Sequence, residues 1–185
     1  MRAALERRIG WRSWFVGVAG FVAFLVVVLP AEADRTLEAA GTSETPDTSY
    51  LYTAEDLERL AREYGEEGRS HYIRSRFTFD VAWPLVYGFF LQSSLLLASR
   101  RTVLRRLPSP VVLLPILVVA FDLLENTSAS IVMARYPDPT PIVAQAAPVF
   151  TFMKWNLLVA SFALVAIGAL AGLIDLVRQH RQGPG

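Results

Sequence analysis

Four runs of apolar residues, each near the length needed to cross a bilayer as a helix, constrain this chain more than any other feature. A hydrocarbon core about 30 Å thick needs about 20 mostly apolar helical residues. Residues 13–30, 77–98, 111–133 and 148–175 meet or nearly meet that length. None of them alternates with period two, so a β-barrel fits poorly. Helices are then the remaining way to satisfy the backbone in lipid. The expected fold class is all-α: a four-transmembrane-helix bundle with one short extracytoplasmic amphipathic helix. The composition agrees, with 53% hydrophobic residues and a mean hydropathy of +0.36, both high for an ordinary soluble domain.

Arginine placement orients the spans. Residues 1–12 carry Arg2, Arg7, Arg8 and Arg12, and the short loop 99–110 carries Arg100, Arg101, Arg105 and Arg106. Arg178 and Arg181 lie in the tail 176–185, whereas loop 134–147 has only Arg135. Cytoplasmic loops concentrate Lys and Arg, so both termini and loop 99–110 are expected in the cytoplasm, with 31–76 and 134–147 outside. The first span has a rival reading. Its basic start, apolar run and Ala31-Glu32-Ala33 resemble a signal peptide with its cleavage site.

Charge and composition exclude several functions. A net charge of +1 offers no field to attract nucleic acid. Cysteine is absent, which removes disulfides, thiolate chemistry and Cys-based metal sites. His71 and His180 lie in polar segments, and no zinc-hydrolase, phosphate-loop or dinucleotide motif occurs. No cofactor and no metal ion is expected.

The segment 31–76 holds eleven acids against six arginines. Residues 34–50 are rich in Thr, Ser, Glu and Pro and read as a flexible linker. Thr53 then fits a helix N-cap with Asp56 three residues on. Leu57, Leu60, Ala61 and Tyr64 follow at helical spacing and Gly65 fits a stop, which places a helix at about residues 53–64. Its apolar stripe belongs either on the membrane surface or over the bundle.

The sharpest signal is polar. Asp80, Asp122, Glu125 and Lys154 lie inside the apolar runs, and Lys154 is the one lysine among eighteen cationic residues. A central charge costs about 2.5 to 3.5 kcal/mol on insertion scales. Two acids in the third span therefore cost roughly 6 kcal/mol, which its Leu, Ile, Val and Phe side chains only just offset. At about 1.5 Å of rise per residue, all four groups fall in one slab of the outer half. Asp122, Glu125, Asn126 and Ala129 share one helix face; Asp80, Pro84 and Tyr87 share another. Three acids then face one base. A protonated acid beside an ionised one is what acid–base chemistry needs, and a desolvated lysine loses its proton readily. Asp122, Glu125 and Lys154 are thus the catalytic candidates, and Asp80, Tyr87, Asp122, Glu125, Asn126 and Lys154 the candidate ligand-binding set.

The strings Asp80-Val81-Ala82-Trp83-Pro84-Leu85-Val86-Tyr87, Asp122-Leu123-Leu124-Glu125-Asn126 and Lys154-Trp155, with Gly68-Arg69-Ser70-His71-Tyr72 before them, carry a resemblance. Over roughly residues 55–158 the chain resembles an uncharacterised family of small bacterial four-helix integral membrane proteins. The resemblance implies a multi-pass protein of the bacterial inner (cytoplasmic) membrane and carries over no activity, substrate or cofactor. Three classes of function stay open. The cluster binds or transforms a lipid-like or small-molecule ligand; it serves a proton- or ion-coupled carrier; or it is an ion-pair lock in a structural or assembly subunit. The partners these imply are membrane lipid and either a homo-oligomer or a partner helix.

Overall fold

The computed structural model describes residues 2–42, 44–46 and 49–182, with side chains for all of these except Arg101 and Gln182. The described residues are helical or irregular, with no strand among them. In chain order the helices are α1 (Arg2–Arg8), α2 (Trp11–Ala40), α3 (Ala54–Glu63), α4 (Gly65–Arg76), α5 (Phe79–Arg101), α6 (Ser109–Val112), α7 (Leu114–Arg135) and α8 (Pro141–Gln182). Four of them, with α4 and α5 running on as one, are long and apolar enough to cross a membrane.

The helices overrun the apolar runs. In α2 a π-helical stretch at Phe24–Val28 passes straight into Leu29–Ala40. Ala31-Glu32-Ala33 therefore lies inside a continuous helix, and the first part of the expected linker is helical. Ala, Glu, Leu and Arg dominate this stretch, all strong helix formers. It stops at Gly41, whose φ of 67° is the left-handed conformation of a helix C-terminal glycine. Linker composition thus begins at Gly41, and Ser43, Asp47 and Thr48 of the expected linker lie outside the described residues. Similarly, α8 opens at Pro141, inside the expected loop 134–147, because proline suits the first helical turn. Pro115 sits in the first turn of α7, and the break between α6 and α7 falls at Leu113. Pro84 lies within α5.

The short outer helix forms where its cap places it. The Thr53 N–H donates to Asp56 Oδ2 at 2.9 Å, and the Asp56 N–H donates to Thr53 Oγ1 at 3.2 Å. The Thr53 N–H first, and then the Thr53 hydroxyl, which also donates to Asp56 Oδ2 at 2.9 Å, hold the Asp56 carboxyl below its ordinary pKa, with help from Arg59. A lowered folded-state pKa means the cap is intact above the usual aspartate range and lost as pH falls through the lowered value. Acidification should therefore move the Thr53 amide NMR resonance, with a midpoint below about 3.9. An Asp56→Asn variant should show no such midpoint.

The helices α1 and α4 went unread in the sequence. α4 starts at Gly65, whose φ of 63° makes the corner after α3. It buries Gly68, Tyr72, Ser75 and Arg76, a polar face at helical spacing that an apolar-periodicity search passes over.

α5 is the centre of the bundle and packs against α2, α7 and α8. Rings fill its seam with α2: Phe21 stacks on Phe90 at 4.7 Å and on Trp83 at 5.6 Å, and Phe24 on Trp83 at 5.8 Å. Only 6% of the most apolar window of α2 is buried, against 50% for α7, so α2 flanks the bundle and offers most of its surface to the surroundings. In lipid that exposure carries no penalty. Gln92 Nε2 donates to the Val112 carbonyl at 2.9 Å, the inter-helix bond expected of a lone amide in an apolar run.

The Gly168/Gly172 pair splits into two roles. A Cβ at Gly168 would stand 2.6 Å from Ala98 Cβ, whereas one at Gly172 would meet only Thr102 Cγ2 at 4.0 Å. Gly168→Ala should therefore force α8 off α5 and cost about 1 to 3 kcal/mol by overpacking. Gly172→Ala should fall within about 0.5 kcal/mol of the parent, as surface changes do. Unfolding midpoints of the two variants in mixed micelles check the difference.

Candidate functional site

Seven polar residues meet in the interior near the α4–α5 corner, and none is more than 7% exposed: Arg76, Asp80, Tyr87, Asp122, Glu125, Asn126 and Lys154. Arg76 comes from the last turn of α4 and Asp80 from the first turn of α5. Their ion pair, Arg76 Nη1 to Asp80 Oδ2 at 2.7 Å, spans the junction between the two helices. The Arg76 guanidinium also lies 4.4 Å from the Tyr72 ring centre, a cation–π contact.

α7 supplies the next layer. Asn126 Nδ2 donates both to the Asp80 carbonyl at 3.1 Å and to Asp122 Oδ1 at 3.0 Å, tying α7 to α5. Tyr87 Oη donates to the other Asp122 oxygen at 2.5 Å. One face of α7 thus presents Asp122, Glu125 and Asn126 inward, as the three- and four-residue spacing requires. Lys154 of α8 closes the site with Nζ 2.5 Å from Glu125 Oε2 and 5.6 Å from the Trp155 ring centre.

Every residue singled out from the sequence is therefore buried; hydrogen bonds join Asp80, Asn126, Asp122 and Tyr87, and an ion pair joins Glu125 and Lys154. The tally of charges needs correcting. Three acids face two bases, because Arg76 is a member of the cluster. Asp80 is held by Arg76 and the Asn126 bridge, and Glu125 by Lys154; Asp122 receives two neutral donors. The missed signal was simple: Arg76 and Asp80 are four residues apart, the spacing of a helical ion pair. It was missed because Arg76 lies outside the apolar run.

On α7 and α8, Asn126 Oδ1, Ser130 Oγ and Trp155 Nε1 are buried with no hydrogen-bond partner among the described residues. Above the cluster lies an apolar plug. Leu57, Leu60, Ala61 and Tyr64 of α3 pack with Ala129, Val132 and Met133 of α7 and Ala144 and Ala147 of α8. The stripe read from the sequence caps the bundle. Among the described residues, no group of three His, Asp or Glu side chains has the arrangement of a metal site.

Comparison with protein-family models, curated proteins and solved structures finds no match for this chain.

Proposed function

We propose that the chain is a multi-pass protein of the bacterial cytoplasmic membrane, with both termini inside, and that its buried network is a lock for a structural or assembly subunit. One observation carries this reading: each carboxylate of the cluster meets a cation or two hydrogen-bond donors inside the bundle, and no member is more than 7% exposed. The lock ties the α4–α5 corner to α7 and α7 to α8, so it holds the outer ends of three helices in one register. The arginine asymmetry supports the orientation, and the family resemblance supports the bacterial membrane.

A second reading keeps the cluster as a binding or acid–base site for a lipid-like or small-molecule ligand. The three unpartnered buried atoms, Asn126 Oδ1, Ser130 Oγ and Trp155 Nε1, favour it, since such groups cost free energy unless something meets them. The two readings separate on folding. Under the lock, Lys154→Met and Glu125→Gln each lower the yield of monodisperse protein in detergent. Under the ligand site, both variants fold at parental yield and lose only binding or activity. A carrier would instead show proton flux in liposomes that Glu125→Gln abolishes.

A further inference from the structure

The Leu29–Ala40 part of α2 runs beside α4, and the two flank an open cleft of about 470 Å³. Glu32, Arg35 and Glu38 line it from α2; Glu67, His71 and Arg74 line it from α4. A second cleft of about 470 Å³ shares Glu67, His71 and Arg74, so the two form one groove. The groove lies outside the buried network.

Its floor is ordered and its rim is not committed. Ser75 Oγ donates to Glu32 Oε1 at 2.6 Å, and Arg35 Nη1 reaches Glu32 Oε2 at 3.4 Å. His71 Nε2 stands 3.7 Å from the same Glu32 Oε1, too far for a hydrogen bond, and is buried without a hydrogen-bond partner. Glu67 and Arg74 are exposed, and no ion pair holds either among the described residues. Glu67, His71 and Arg74 follow one another at helical spacing and share a face. The groove therefore offers a cation, an imidazole and a carboxylate in a row.

Depth identifies the occupant, granted the membrane-spanning reading. A head-group layer of about 5 to 8 Å lies outside each face of the hydrocarbon core. Arg74 precedes Phe77 by about 4.5 Å of helix and His71 by about 9 Å, while Glu67 stands about 15 Å out. Glu32 and Arg35 follow Leu29 by about 4.5 and 9 Å. Just below, the Phe24 and Phe79 rings pack at 6.2 Å and Phe77 is 56% exposed, a surface suited to acyl chains. We infer that this groove binds a phospholipid whose head group carries both a phosphate and a primary ammonium. The phosphate accepts from Arg74 at head-group depth and from His71 at the outer edge of that layer. The ammonium donates to Glu67 and Glu38 farther out.

The test uses the full chain in detergent with equal amounts of phosphatidylethanolamine, phosphatidylglycerol and phosphatidylcholine, and native mass spectrometry to count retained lipid. Phosphatidylethanolamine should be retained about tenfold over the other two, about 1.4 kcal/mol. Glu67→Gln should abolish that preference while sparing phosphatidylglycerol, and Arg74→Gln should lower retention of all three lipids. Both side chains are exposed, so both variants should melt with the parent. Equal retention of the three lipids by the parent chain, or a preference that survives in both variants, overturns the inference. Displacement by soluble phosphoethanolamine at matched concentration overturns the lipid as occupant. Recovery of the chain without detergent is a separate failure, that of the membrane reading, and shows before any lipid is added.

Discussion

Lys154→Met should lower the folded-state stability of this protein by about 3 to 5 kcal/mol, the usual result of stripping one partner from a buried ion pair. Glu125 is 1% exposed, and its Oε2 lies 2.5 Å from Lys154 Nζ. Removing the ammonium leaves that carboxyl in the apolar interior, where it must either bury a charge or take up a proton. Every 1.4 kcal/mol is a factor of ten, so the folding equilibrium constant should fall by roughly a hundred- to a few thousand-fold. The double variant Lys154→Met, Glu125→Leu is the decisive partner. Replacing a buried pair with apolar residues of similar volume is often neutral. A lock should thus recover most of the loss in the double variant, read as the unfolding midpoint in mixed micelles. A cluster kept for chemistry predicts otherwise: Lys154→Met alone would unfold with the parent, and that outcome removes the structural reading.

The same pair shows how far the sequence could be read. Lys154, Glu125 and Asp122 stood out because charge in an apolar run is costly, and helical rise put them in one slab. Those two facts put Lys154 within reach of all three acids but do not choose Glu125 among them; the packing of α7 against α8 makes that choice. Arg76 did not stand out, although it is as buried as Asp80 at 6% exposed. Burial here comes from tertiary packing of a helix whose sequence, GEEGRSHYIRSR, is polar apart from Tyr72 and Ile73. No apolar periodicity marks such a helix; only its partners make it an interior element. The outer end of α2 failed for a different reason. Thr, Ser and Pro farther along coloured the reading of residues 34–50, while the Ala-, Glu- and Leu-rich stretch up to Gly41 had helix propensity of its own. Elements driven by apolar burial or by local capping were legible: the four spans and the Thr53–Asp56 cap. Elements defined by contacts between distant polar segments were not, and the α2–α4 groove, built from two such segments, stayed hidden with them.

The apolar plug above the network sets the second large effect. Leu57 is fully buried and Leu60 is 2% exposed, both packed with the outer turns of α7 and α8. Leu57→Ala should cost about 2 to 5 kcal/mol, the range for emptying a leucine site in a packed core. A helix lying on the bilayer would lose far less, since lipid closes over the gap. Position on the bundle has a further consequence. In the proposed orientation the plug separates the outer aqueous phase from Glu125, Asn126 and Ser130, the last 3% exposed. The chain has no cysteine of its own, so Ser130→Cys provides a clean probe of that barrier. A membrane-impermeant maleimide should leave this cysteine unlabelled in the parent background. It should label it once Leu57→Asp places a charge under α3, because a carboxylate there is too costly to stay buried. If the parent labels readily, or Leu57→Ala unfolds within about 0.5 kcal/mol of it, then α3 is not the seal. The network would then stand open to water, and its charges would be free to exchange protons with the outside.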